Sequence, residues 1–273
     1  MFLSRECFEL ASHVDTEAYS VYVTDPSEEN EAPETTAELT VWYIPPEDWG
    51  IPDSHKPFNL LFTNDANGGC YVERVREKKK RKYSGKRVYY TNETCLSAAL
   101  RVFFRLTRSI KAKELEVKID SLSEEVERIL KQQQQTFLFN CKTFIIRTED
   151  RRVPPLLFPF IPIGCALKIY CYPFPEPDQF IMDSDSFDLE LLRATPSFDT
   201  EGIVRVTDEQ LPNLRGHTLS MKAPCITSKG VNTVIRQWLE GSRRIVEMSF
   251  NESGRMNNSE IFDGIDDSVI LSE

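Results

Sequence analysis

The sequence predicts an α/β chain: a leucine-rich-repeat-like helix–strand solenoid preceded by a β-rich N-terminal region. Three observations carry this expectation. Before residue 90, apolar and β-branched runs alternate with Pro-, Gly- and acid-rich connections. From about residue 94 the pattern changes to apolar residues at helical spacing, each group followed by a short apolar strand. Strand onsets near 115, 143, 167, 217 and 245 lie 28, 24, 50 and 28 residues apart, the unit length of a helix-plus-strand repeat. The long gap has room for two irregular units. The strict L-x-x-L-x-L-x-x-N pattern is missing, and an ordinary α/β domain is the competing reading. The expected organisation is 1–14, a short helix; 15–90, the β-rich region with an acidic loop and a basic stretch; 91–250, the helix–strand repeats; and 251–273, a closing segment with a loosely ordered acidic tail.

Taken in order, residues 1–14 read as an amphipathic helix with Phe2, Leu3, Cys7, Leu10, Ala11 and Val14 apolar. AYSVYVT (18–24) alternates and predicts a strand. Residues 25–38, acidic with two prolines, predict a flexible loop. LTVWYI (39–44) predicts a second strand ended by Pro45-Pro46, and FNLLFT (58–63) a third, with a turn at 64–69. Leu96, Ala99, Leu100, Phe103, Phe104 and Leu106 predict a helix over 94–109. Leu115, Val117 and Ile119 predict a strand. Ser121 is the expected cap of a helix at 122–134, with Glu124 in the capping-box position. Phe144–Ile146 and 165–172 predict strands. Residues 173–200 read as a Pro- and Asp-rich connection, and 207–214 as a helical turn. HTLSM (217–221) and 245–250 predict the last two strands. Between them Thr227 caps a helix at 228–240 that ends at Gly241.

Composition excludes some functions. Forty-three acids against 33 bases give a net charge of −10, the wrong sign for a general nucleic-acid or anionic-membrane binder. No run of 18 apolar residues occurs, and the start carries Arg5, Glu6 and Glu9 rather than a signal-peptide core. These features predict a cytoplasmic or nuclear protein. The seven cysteines are unevenly spaced with no CxxC, and are expected to be reduced and mostly buried. His13, His55 and His217 are scattered without ligand-spaced partners, so no metal site is expected. The sequons at Asn92, Asn251 and Asn257 are expected to be silent. No phosphate-cradling or nucleophile motif is present, so no catalytic residue, cofactor or metal ligand is assigned.

The strongest local signal is basic. Arg74, Arg76, Lys78, Lys79, Lys80, Arg81, Lys82, Lys86 and Arg87, with one acid, Glu77, give 74–87 a charge of +8. Such a run is a solvated loop, a nuclear-import signal or a phosphate-binding patch. DSDSFD (183–188) approaches calcium-loop spacing but has Asp188 where the loop needs Gly and Ala194 where it needs Glu, so it reads as an acidic turn. Gln132–Gln135 sits at the exposed end of a helix. Trp238, with Val231, Val234 and Ile235, is expected to anchor an apolar helix face. Arg236, Glu240 and the pair Arg243-Arg244 read as surface charge.

The segment 203–265 carries a more specific pattern. Ile226, Thr227, Val231, Asn232, Trp238, Leu239, Gly241 and Met248 precede a closing Ile261, Phe262, Gly264 and Ile265. Its core is Asn232, then Trp238 after five residues, then Gly241 after two more. This resembles the nematode F-box-associated domain of the second type, and the helix–strand pattern of 94–146 resembles the same family. The resemblance implies that Thr227, Asn232, Trp238 and Gly241 maintain the repeat framework rather than touch a substrate. It implies an F-box ahead of the region, of which residues 1–14 resemble only the last helix. It also implies a non-enzymatic adaptor that binds a protein substrate and, through an F-box, a Skp1-like protein of a cullin-type ubiquitin ligase. Two other readings remain beside it: a stand-alone protein-binding domain that no longer recruits a ligase, and a nuclear or nucleic-acid-binding protein that uses 74–87.

Overall fold

The computed structural model describes residues 17–24, 36–43, 57–75, 87–134, 138–171, 181–251, 253–254 and 256–265. The fold is mixed α/β, and the chain divides into two units, Met1–Pro162 and Ile163–Glu273. The expected helix at 1–14 and most of the expected loop at 25–38 lie outside the described residues.

The first unit contains β1 (Glu17–Thr24), β2 (Thr36–Trp42), β3 (Phe58–Asn64), β4 (Cys70–Val75), β5 (Val88–Tyr90), α1 (Cys95–Thr107), β6 (Lys111–Lys118), α2 (Glu124–Gln133), β7 (Cys141–Arg147) and α3 (Val153–Leu157). The strand order is β7-β6-β1-β2-β3-β4-β5. β1 pairs in parallel with β6, and β6 with β7, whereas β1 to β5 form an antiparallel meander. Alternation buries Val21, Val23, Leu39, Val41, Leu60 and Phe62 on one face. α1 lies against this meander with almost every residue buried. Beyond α1, the rings of Phe103, Phe104, Phe139, Phe144 and Phe160 pack with centroids 5.0–5.9 Å apart.

Three expectations for this unit are corrected. β2 begins at Thr36, inside the stretch read as a flexible loop: Ala37 is buried against the meander, and Glu38 accepts a hydrogen bond from Thr40 Oγ1 at 2.9 Å. The helix cap is Ser123, whose Oγ accepts from Val126 N, and not Ser121. Leu122 is held outside the helix, because its N–H donates to Asp150 and its carbonyl accepts from Arg152. β4 and β5 form a hairpin that charged and turn residues concealed in the sequence.

The second unit contains β8 (Ala166–Tyr170), β9 (Ile181–Met182), α4 (Glu190–Ala194), β10 (Ser197–Val204), β11 (Thr218–Lys222), α5 (Ser228–Leu239), β12 (Glu247–Asn251) and α6 (Asn258–Ile261). The sheet runs β12-β11-β10-β8, with β9 also on β10, and every pairing is parallel. β9 and β10 fall in the long gap, and β10 begins inside the stretch 173–200 that was read as a connection. Leu167 and Ile169, Phe198 and Thr200, and Leu219 and Met221 form buried rows. The register continues these rows to Met248 and Phe250, which are only half-buried.

Candidate functional site

In the second unit the alternate residues of each strand face away from the buried rows. Lys168, Asp199, Ser220 and Ser249 are in register across β8, β10, β11 and β12, and Ser197, Thr218 and Glu247 form a second row. A parallel sheet normally buries apolar side chains on both faces. This one presents hydroxyls and alternating charges on one of them, a surface able to hydrogen-bond a polypeptide.

The family-like residues lie on α5 and at its two ends. Thr227 caps α5, its Oγ1 accepting from Lys229 N at 3.3 Å. The cap is itself held by Asp208, whose carboxylate accepts from Thr227 N at 2.8 Å and from Thr227 Oγ1 at 2.5 Å. Asn232 ties down the closing segment: its Nδ2 donates to the carbonyls of Ile261 at 2.7 Å and Asp263 at 3.1 Å. Arg236, one turn on, donates to Asn232 Oδ1 and to the Asp263 carbonyl. Gly264 turns beside Arg236 with φ +65°, and Gly241 ends α5 with φ +71°. Asn232 and Gly264, thirty-odd residues apart in sequence, therefore belong to one tether.

Two side chains reverse their expected roles. Trp238 is 47% exposed, and the neighbouring Leu239 is also exposed. The apolar face of α5 loses its cover in the last turn, so the anchor is Val234 alone, with Val231 and Ile235 half-buried. Arg243 was expected on the surface but is 6% exposed. Its guanidinium donates to the carbonyls of Leu211, Leu214 and Gly216 and to Gln237 Oε1, and Nε has no hydrogen-bond partner among the described residues. Burial, and then the Arg215 charge, push its pKa down to about 10. Arg244 next to it is exposed. No sequence signal separates these two arginines.

The basic stretch spans the β4–β5 hairpin of the first unit. Arg87 pairs with Glu73 at 3.1 Å at the hairpin base, and Arg74 lies over the Phe58 ring at 4.7 Å. Arg76, Lys78, Lys79, Lys80, Arg81, Lys82 and Lys86 lie outside the described residues. Tyr71 and Tyr89 pack ring to ring beside this base, with centroids 4.8 Å apart. Ser184–Asp188 is a 3₁₀ turn held by buried Phe187, with Asp183 and Asp185 exposed.

Two carboxylates of the first unit are perturbed. Glu93 is pushed up by burial, opposed by Arg101, whose Nε is 3.4 Å away. Asp150 is held below the usual carboxylate range by its hydrogen bonds from Arg152. Both lie at helix starts and serve the framework. Among the described cysteines, Cys70, Cys95, Cys165 and Cys171 are buried and Cys225 is exposed. Burial, reinforced by Glu201, raises the Cys171 thiol to about 12, far from the thiolate form that nucleophilic chemistry needs.

A depression of about 700 Å³ in the second unit is lined by Met256, Asn257, Asn258 and Glu260. All four are exposed, so it is a surface trough without the enclosed apolar wall of a small-molecule site. Among the described residues no group of three or more His, Cys, Asp and Glu is placed to hold a metal ion. No described helix is long and apolar enough to cross a membrane. No family model, curated protein or solved structure matches the chain.

Proposed function

We propose that this chain is a non-enzymatic protein-interaction module, with the second unit's polar sheet face as its docking surface. The observation that carries the reading is the in-register row Lys168, Asp199, Ser220 and Ser249. A parallel sheet gains no stability from a polar outer face, and such a face suits a polypeptide partner bound by hydrogen bonds. β8, β10, β11 and β12 lie side by side in chain order, with a helical segment between each pair, an arrangement that supports a leucine-rich-repeat-like reading. The sequence resemblance adds the biological setting: a substrate-recognition adaptor of a cullin-type ubiquitin ligase, acting in the cytoplasm or nucleus by bringing its substrate close to the ligase.

The test is a pull-down of the 273-residue chain with a purified Skp1-family protein. Capture supports the adaptor reading. Loss of capture on deleting residues 1–14 assigns the contact to the segment that resembles an F-box helix. Absence of capture removes the ligase link and leaves a stand-alone binding domain.

A further inference from the structure

We propose that the outer edge of β12 pairs with itself: a second copy of this chain adds its own β12, antiparallel, to form a two-fold dimer. Among the described residues β12 pairs only with β11. Its sequence, EMSFN, has no proline or lysine to blunt the other edge. Met248 and Phe250 are only half-buried, although Leu219 and Met221, their register partners on β11, are buried. Val246, just ahead of the strand, is exposed, as are Leu239 at the end of α5 and Phe262 just after α6. This end of the second unit therefore carries apolar surface beside an unfinished ladder.

The backbone shows which groups that edge offers. At the start of β12, Val246 N and Glu247 N both donate to the His217 carbonyl, and at its end the Asn251 carbonyl accepts from Ala223 N. Along a strand, residues that bond one neighbour alternate with residues that bond the other. Glu247, Ser249 and Asn251 therefore spend their backbone groups on β11, and Met248 and Phe250 direct theirs to the outer edge. An antiparallel copy whose two-fold axis passes at Ser249 sets Met248 opposite the partner's Phe250. Each of these two symmetry-related pairs then exchanges N–H to carbonyl bonds in both directions.

A two-fold contact has to be complementary to itself, and this strand is. The same register sets the Glu247 carboxylate against the partner's Asn251 amide and each apolar side chain against another. The two Glu247 carboxylates then stand four residues apart along the strands, about 13 Å, beyond the screening length of about 8 Å at physiological salt. Parallel pairing of two copies instead puts Glu247 beside the partner's Glu247 at about 4.8 Å, and it leaves a bare edge on the far side. The second copy is favoured over an unrelated polypeptide because this one edge supplies both halves of the match. The inference goes beyond the adaptor reading and does not depend on it.

Sedimentation velocity of the full chain over a concentration series tests it, and a concentration-dependent dimer is expected. Met248→Pro removes an N–H aimed at the outer edge, where a strand tolerates proline. It is expected to abolish the dimer and leave the monomer's circular dichroism unchanged. Asn251 is exposed, so its variants probe the register without touching the core. Facing the partner's Glu247, Asn251→Lys is expected to tighten the dimer and Asn251→Glu to weaken it. Each shift is about two- to thirtyfold, because the symmetry repeats every cross-strand pair. If Met248→Pro fails to fold, the two Asn251 variants decide alone. A chain that stays monomeric at every concentration overturns the proposal, even if its β12 amides resist hydrogen exchange. A dimer indifferent to Met248→Pro uses another surface and also overturns it. Shifts of equal sign from the two Asn251 variants overturn the antiparallel pairing.

Discussion

Replacing Arg243 by Met separates two effects of opposite sign. The substitution removes a buried guanidinium, which relieves its desolvation. It also removes the donor of the Leu214 and Gly216 carbonyls, whereas the Leu211 carbonyl still accepts from Leu214 N. A buried acceptor left unpaired costs about 1–3 kcal/mol. Two such acceptors, partly offset by the relieved desolvation, give a net loss of about 1–3 kcal/mol. For a chain of this size that is a fall in Tm of about 3–10 °C. Arg244→Met, one residue away on the surface, is expected to change stability by no more than about 0.5 kcal/mol. Chemical denaturation of both variants at neutral pH measures the difference. The Arg243 pKa is lowered to about 10, so the folded state releases this proton before the unfolded state does. The arginine's contribution therefore rises as pH climbs above about 10 towards the higher value of the unfolded chain. Equal stability of the two Met variants would refute the view that Arg243 holds the 211–216 loop.

Asn232→Ala removes its hydrogen bonds to the Ile261 and Asp263 carbonyls and the one from Arg236 Nε, leaving the Asp263 carbonyl held by Arg236 alone, and is expected to cost about 1–2 kcal/mol and to speed hydrogen exchange over 257–264. Trp238→Ser is expected to cost less than about 1 kcal/mol in urea denaturation, against roughly 1–3 for Val234→Ala, the inverse of what side-chain size suggests. Asp150→Asn should flatten the acid limb of the stability curve. The carboxyl's pKa is lowered in the folded state, so its contribution is present above the unfolded value near 3.8 and is lost as pH falls through the folded one. Glu93 runs the other way. Its raised pKa makes its contribution decline as pH rises from about 4.5 through the folded value, and thermal melts of Glu93→Gln should lack that slope.

The sequence was most readable where local chemistry and tertiary packing agree. α5 has a capping threonine, a buried Val234 and a glycine with positive φ at its end, and its boundaries match the expectation within a residue. β1, β3 and β11 alternate, and alternation is what a half-buried strand imposes. The errors share a cause: each depends on a partner distant in sequence. Asp150, 28 residues on, keeps Leu122 out of α2. β10 begins after Pro196, and its first four residues, Ser197 to Thr200, read as connection until β8 and β11 flank them. Arg243 and Arg244 are adjacent and chemically identical, and only the carbonyls of 211–216 distinguish them. Asn232 was singled out by resemblance, but its partners in the closing segment emerge only from the fold.

The order of strands in the first unit has a consequence for how the chain is made. Glu17 to Val23 of β1 pair with Lys111 to Val117 of β6, so the central seam joins the beginning of the meander to a strand synthesised after α1. During translation β1 to β5 emerge together and can pair locally, yet one side of β1 stays bare until β6 leaves the ribosome. Closing so long a loop is the slow step that non-local pairing imposes. The nascent N-terminal half therefore exposes an apolar, hydrogen-bond-hungry edge for several seconds at ordinary elongation rates of about 5–20 residues per second. In the second unit β11 pairs with β10 and β12 with β11, each soon after its partner is made, so those seams close without so long a wait.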